Sequence, residues 1–169
     1  MALVVLTDSY LLLAAADTYL SEHYATTDAK MILWTALTDA NCETYLRQAA
    51  LAIDRLPLTG YKAVSTQTMA FPRAVYTEFA SEILNPVSII QDENWYIQPS
   101  VPDAVKNAQC EIAFQLAQGV SGRVDLQRQG VKSFSLGNLS ESYSGKQNSI
   151  ISYEAKQLLA PYMGGLRVC

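Results

Sequence analysis

The sequence predicts a mainly α fold, a compact bundle of about four helices joined by one or two β-hairpins. Three observations carry this expectation. Apolar residues recur at three- and four-residue spacing in four separate stretches. Three of those stretches are closed by proline or glycine. Between them, short strand-like runs flank polar turn signals. At 169 residues, half of them hydrophobic and 17% charged, the chain fits a single domain over 1–169. A chain of this length buries roughly 70% of its unfolded surface.

Ser9 is placed to cap a first helix over about residues 11–24, with Leu13, Ala16, Leu20 and Tyr24 on one face. The apolar run at residues 11–16 has the character of a secretory leader core. However, Asp8 precedes it, Asp17 ends it, and no Lys or Arg appears before Lys30. The expectation is therefore an amphipathic helix. Met31, Ile32, Leu33 and Trp34 suggest a turn packed on the core. Thr38 or Asp39 then caps a second helix over about residues 40–56. Its inward face is Cys42, Leu46, Ala49 and Ile53, and Pro57 and Gly60 end it.

Residues 57–73 read as an irregular loop crossing back over the helices. Pro72 directs Phe71 toward an extended conformation. Phe71 is expected to plug the core, and Arg73 to bond a carboxylate or helix-end carbonyls. Residues 74–98 read as a hairpin insertion, with strands near 87–90 and 95–97 around a four-residue loop, and with Pro86 marking an edge. Pro102 and Asp103 open a third helix, whose buried face is Val101, Val105, Ala108, Ile112 and Leu116. Gly119 and Gly122 end it.

Gly137-Asn138 is a two-residue turn signal. Pairing outward sets Leu136 against Leu139, Ser135 against Ser140, Phe134 against Glu141, Ser133 against Ser142 and Lys132 against Tyr143. The apolar members then share one face, and four serines the other. A last short helix over 154–159 stops at Pro161, and residues 163–169 are expected to form a flexible tail.

The search for chemistry returns little. His23 is the one histidine, and Cys42, Cys110 and Cys169 are far apart, so no zinc cluster is expected. No phosphate-binding glycine loop or dinucleotide fingerprint is present. We expect no catalytic residues, no cofactor, no metal and no enzymatic activity. No run reaches the roughly 18 apolar residues of a membrane span, so no membrane partner is expected.

Net charge is −4, unevenly placed. Residues 1–122 hold thirteen acids against six bases, whereas 123–169 hold three acids against six bases. Ten tyrosines and two tryptophans offer stacking surfaces for bases. Against that stand an acidic balance, with pI near 4.9, and one basic–aromatic cluster, Lys132 and Lys146 beside Phe134 and Tyr143.

The order of motifs adds a resemblance. Met69-Ala70-Phe71-Pro72-Arg73 lies between a helical pattern ending Ala52-Ile53-Asp54-Arg55-Leu56, followed by Gly60-Tyr61-Lys62, and a second helix opened by Val101-Pro102-Asp103-Ala104-Val105 that runs on through Ala108-Gln109-Cys110-Glu111-Ile112-Ala113. Over residues 8–162 this order resembles the head-to-tail connector (adaptor) proteins of tailed bacteriophages. Some of these carry the older label of DnaT-like single-stranded-DNA-binding proteins.

The resemblance implies a ring-forming connector fold, with about twelve copies in a homo-oligomer docked below the portal protein. It implies a virion protein of the head–tail junction, found in the host cytoplasm before assembly. Such a ring extends the DNA channel, lets DNA pass without sequence-specific binding, and is the platform for tail or nozzle proteins. Phe71, Pro72 and Arg73 are then a structural motif. The basic C-terminal end, with Tyr162, Leu166, Arg167 and Val168, is the candidate portal contact. Two alternatives stay open: a single-stranded-DNA-binding replication accessory protein, and a tail-completion or terminator protein. The 74–98 insertion is longer than the family pattern.

Overall fold

A computed structural model of the chain describes residues 2–76, 90–92, 95–119, 133–136, 139–142 and 151–163. Its helices are α1 (Leu13–His23), α2 (Ala29–Thr35), α3 (Asp39–Asp54), α4 (Asp103–Ala117) and α5 (Tyr153–Leu159), the last running into a 3-10 turn at Ala160–Tyr162. The strands are β1 (Tyr61–Lys62), β2 (Arg73–Tyr76), β3 (Ile90–Asp92), β4 (Trp95–Ile97), β5 (Ser133–Leu136) and β6 (Leu139–Ser142). Helix dominates, as expected. The picture of about four helices does not hold, because the described residues contain five.

The additional helix is α2, expected as a turn. The Asp28 side chain caps it by accepting from the Lys30 amide at 2.8 Å, which satisfies one of the donors a helix start leaves open. Met31 and Trp34, three residues apart, are its buried side. Ser9, expected as the α1 cap, is used differently. The helix begins at Leu13 after Leu12, and the Ser9 hydroxyl donates to the Leu11 carbonyl at 2.7 Å.

The expected α3 face is correct: Cys42, Leu46, Ala49 and Ile53 are all buried. Of the stripe expected for α4, Val101, Val105, Ala108 and Ile112 are buried and Leu116 is half-buried, and the stripe is too narrow. Gln109, Cys110, Glu111, Ala113 and Phe114 are buried along with Val105, Ala108 and Ile112. The helix packs against α3, α5, α1 and α2, so most of its circumference faces protein, as for a core helix. Each large apolar side chain enclosed this way contributes about 1.5–3 kcal/mol.

A polar hub crosses this core. The fully buried Gln109 accepts from the Tyr10 amide at 2.9 Å and donates to Ser9 Oγ and the Leu46 carbonyl, both at 2.8 Å. The side-chain amide thereby ties the N-terminal segment, α3 and α4 together without leaving a buried donor open.

Beside the helices lies a four-stranded antiparallel sheet of order β1-β2-β4-β3. Its first two strands take Tyr61, Lys62 and Arg73 out of the expected loop, pairing Tyr61 with Ala74 and Lys62 with Arg73. The expected hairpin forms as β3–β4, but β3 reaches Asp92, so the expected loop at 91–94 is shorter. Because β4 also pairs with β2, Ala74 to Ile97, Val75 to Tyr96 and Tyr76 to Trp95, the hairpin completes the sheet. The second hairpin adopts the expected register through all four pairs from Leu136–Leu139 to Ser133–Ser142. Its Lys132–Tyr143 pair, and which face it buries, lie outside the described residues.

Candidate functional site

Phe71, Pro72 and Arg73 meet where the sheet joins the helices. Phe71 is 1% exposed. Its ring sits edge-on between Tyr10, at 5.9 Å between centroids, and Tyr162, at 5.5 Å. The Phe71–Pro72 peptide is cis, and the Pro72 carbonyl accepts from the Ala63 amide at 3.0 Å.

Arg73 reaches back under the chain that leaves α3. Its guanidinium donates to the carbonyls of Thr59 at 2.7 Å, Ala70 at 3.2 Å and Leu58 at 3.2 Å, and also to Gly60. Burial draws its pKa down, while Tyr10 and Asp54 pull it up. Of the two expected partners, carboxylate or helix-end carbonyls, the structure gives neither: these are loop carbonyls. A planar fork with five N–H donors suits them. The Arg73 amide and carbonyl are held by Gln98 at 3.0 and 2.9 Å. Arg73 is therefore committed to structure.

The candidate portal contact changes in one member. Tyr162 was expected at the head of an unstructured end. It lies instead in the 3-10 turn, 7% exposed and packed on Phe71. The Thr59 amide also donates to its carbonyl at 2.8 Å. An aromatic ring against a core ring gains more by staying there than by facing solvent. Leu166, Arg167 and Val168 lie outside the described residues, as do Lys132, Lys146 and Tyr143. Phe134 falls in β5, and its side chain is outside the description.

The sheet presents a feature that the sequence reading missed. Alternation along β2 and β4 turns Val75 and Tyr96 inward, where both are buried. The opposite face carries Tyr61, Ala74, Trp95 and Ile97 in neighbouring register positions. Tyr61 is 71% exposed, and its ring meets that of Trp95 at 5.6 Å between centroids. The two belong to strands separated by β2. Ala74 lies between Tyr61 and Ile97 in the register, so the Tyr61–Trp95 contact runs diagonally across β2. Lys62 is exposed on the same edge strand and donates to the Gln67 and Thr68 carbonyls, both at 3.0 Å. Tyr61 appears in the sequence only as part of Gly60-Tyr61-Lys62. Nothing local announces a partner 34 positions away.

Other reactive groups are quiet. Cys42 and Cys110 are buried free thiols. Burial, aided by Asp17 and Asp39, pushes Cys42 up to about 11. Burial, with Glu111, pushes Cys110 up to about 12. Both stay protonated at neutral pH and are poor nucleophiles. His23 is exposed, stacked on Tyr19 at 4.1 Å. Among the described residues, no three His, Cys, Asp or Glu side chains gather to hold a metal, and no helix is long and apolar enough to cross a membrane.

The chain was compared with known families, curated proteins and solved structures. The model of a family described as "Putative DnaT-like ssDNA binding protein" covers residues 1–168. No curated protein matches the chain, and no solved structure does.

Proposed function

The chain belongs to the family described as "Putative DnaT-like ssDNA binding protein", and from that premise we propose that it contacts single-stranded DNA through the outer face of its four-stranded sheet. The observation that carries this reading is the exposed Tyr61 ring beside Trp95. Aromatic rings on an open sheet stack unpaired bases with little regard to sequence. The acidic balance of the chain argues for modest affinity, since phosphate neutralisation supplies most non-specific binding. Titrating a labelled oligothymidine at low salt tests the proposal. Tyr61→Ala is expected to weaken binding roughly 5- to 150-fold, the range for losing one stacked base. Absence of salt-dependent affinity, or an unchanged affinity in that variant, overturns it.

A second reading, a ring subunit of a phage head-to-tail connector, is favoured by a different observation. Val4, Val5, Leu6, Leu12 and Leu51 are large apolar side chains each more than 40% exposed. Asp8 ties the turn at residues 4–9 to Arg47 at 2.8 Å, and Leu51 lies one helical turn beyond Arg47. Apolar surface of this kind suits a repeated subunit contact. An acidic wall would let DNA slide without sticking. The family description says nothing of a connector. End-on electron microscopy of the protein, alone and with portal, tests this reading. Rings on the portal support it, and portal-containing particles that lack the chain refute it.

A further inference from the structure

A pocket of about 260 Å³ opens among Tyr24 at the end of α1, Lys30 in α2, the C-terminal half of α4 and the start of α5. Glu111, 6% exposed, is one of its lining residues. One carboxylate oxygen accepts from the Tyr19 hydroxyl at 3.0 Å and the other from Tyr24 at 2.6 Å. These phenols meet the carboxylate's need for hydrogen bonds but leave its negative charge whole. Among the described residues the ion pairs are Arg47 with Asp8 and Glu43, and Lys106 with Asp103. Lys30 lines the pocket without pairing to Glu111. Among the described residues only neutral donors hold this buried carboxylate, an unfavourable arrangement that an entering cation relieves.

The walls fit such a cation. Tyr24 and Phe114 pack with ring centroids 4.6 Å apart. Tyr153, 72% exposed, and Glu154 stand at the rim. Aromatic faces combined with carboxylates recognise organic cations. The volume lies just below the roughly 300–1,000 Å³ of sites for drug-sized ligands, which suits one charged head on a short stem.

We propose that this pocket binds an organic cation, an alkylammonium or guanidinium on a short apolar stem, with Glu111 as its counter-charge and Tyr24, Phe114 and Tyr153 as its walls. A free diamine and a Lys or Arg side chain of a partner protein present the same chemistry. The proposal is independent of any contact with DNA.

The full-length protein is titrated calorimetrically with 1,4-diaminobutane, N-acetyl-lysine methylamide, N-acetyl-arginine methylamide and neutral N-butylacetamide. At least one cation saturates and the neutral amide does not. Saturation by the diamine alone assigns a free cation, whereas saturation by a capped amino acid assigns a partner's side chain. Glu111→Gln abolishes binding. Because that residue is buried, the exposed-site variants Tyr153→Ala and Glu154→Gln carry the test should Glu111→Gln fail to fold. Each is expected to weaken binding about two- to fivefold. Lys30→Ala removes a like charge and leaves binding equal or tighter. No saturation below about 10 mM, an equal response to the neutral amide, unchanged affinity in both exposed-site variants, or weaker binding in Lys30→Ala overturns the proposal.

Discussion

Gly60 lies so close to Ala74 that a β-carbon placed on it would stand 2.1 Å from the Ala74 carbonyl oxygen. Gly60 also has a φ of 76°, in the region that side-chain-bearing residues avoid. The close approach allows β1 to start alongside β2 immediately after the turn, and it places the Gly60 carbonyl under Arg73. Gly60→Ala should therefore combine backbone strain with a clash against main chain, which cannot swing aside. We expect a loss of about 2–4 kcal/mol in urea unfolding. A loss below about 1 kcal/mol would mean that the turn relaxes freely.

Phe71→Ala removes a ring enclosed by Tyr10 and Tyr162. Truncating a fully buried Phe costs about 3–5 kcal/mol. The same unfolding measurement checks it, and a loss under about 1 kcal/mol would place Phe71 outside the core. Tyr162→Ala should also destabilise the fold, whereas removal of residues 164–169 should not. The two variants separate the ring buried on Phe71 from the residues that follow it.

Arg73→Lys keeps the charge but not the fork. One ammonium cannot reach the carbonyls of Leu58, Thr59, Gly60 and Ala70 together. Hydrogen bonds to charged groups are worth about 1.5–3 kcal/mol each, and a lysine that retains some of them should lose about 2–3 kcal/mol overall. Stability within about 0.5 kcal/mol of the parent protein would show that the fork geometry is dispensable.

The sequence revealed elements whose signal is local. The α3 face and the β5–β6 register follow from spacing and a turn dipeptide, and both appear as read. The α2 helix was missed because its two buried residues, Met31 and Trp34, are too few to establish a period. β1 was missed because two residues carry no alternation and no tight turn joins it to β2. The burial of Glu111 arises partly because α5, some forty positions later, covers the side of α4 that a single-stripe reading leaves to solvent. Tyr61 and Trp95 escaped notice for the same reason: they adjoin only after β2 has paired with both their strands.

Three tyrosines bonded to carboxylates set an alkaline limit to stability. Tyr10 is pushed well above its ordinary value near 10 by burial and by its hydrogen bond to Asp54. Burial and Glu111 raise Tyr19 and Tyr24 in the same way. In the unfolded chain these phenols ionise near pH 10, while in the folded chain they keep their protons. Above that pH the folded state binds more protons than the unfolded state, so stability must fall as pH rises. The contribution is intact below about pH 10 and is lost progressively as pH climbs toward the folded-state values. Phenolate absorbance at about 295 nm, followed together with circular dichroism, should therefore rise in two phases. Exposed tyrosines such as Tyr61 and Tyr153 titrate first without loss of helix. Tyr10, Tyr19 and Tyr24, each bonded to a carboxylate, give the later phase, which coincides with loss of the helical signal. If all the phenols ionised near pH 10 with the helical signal intact, neither the Tyr10–Asp54 contact nor the Tyr19–Glu111–Tyr24 contact would be holding its proton.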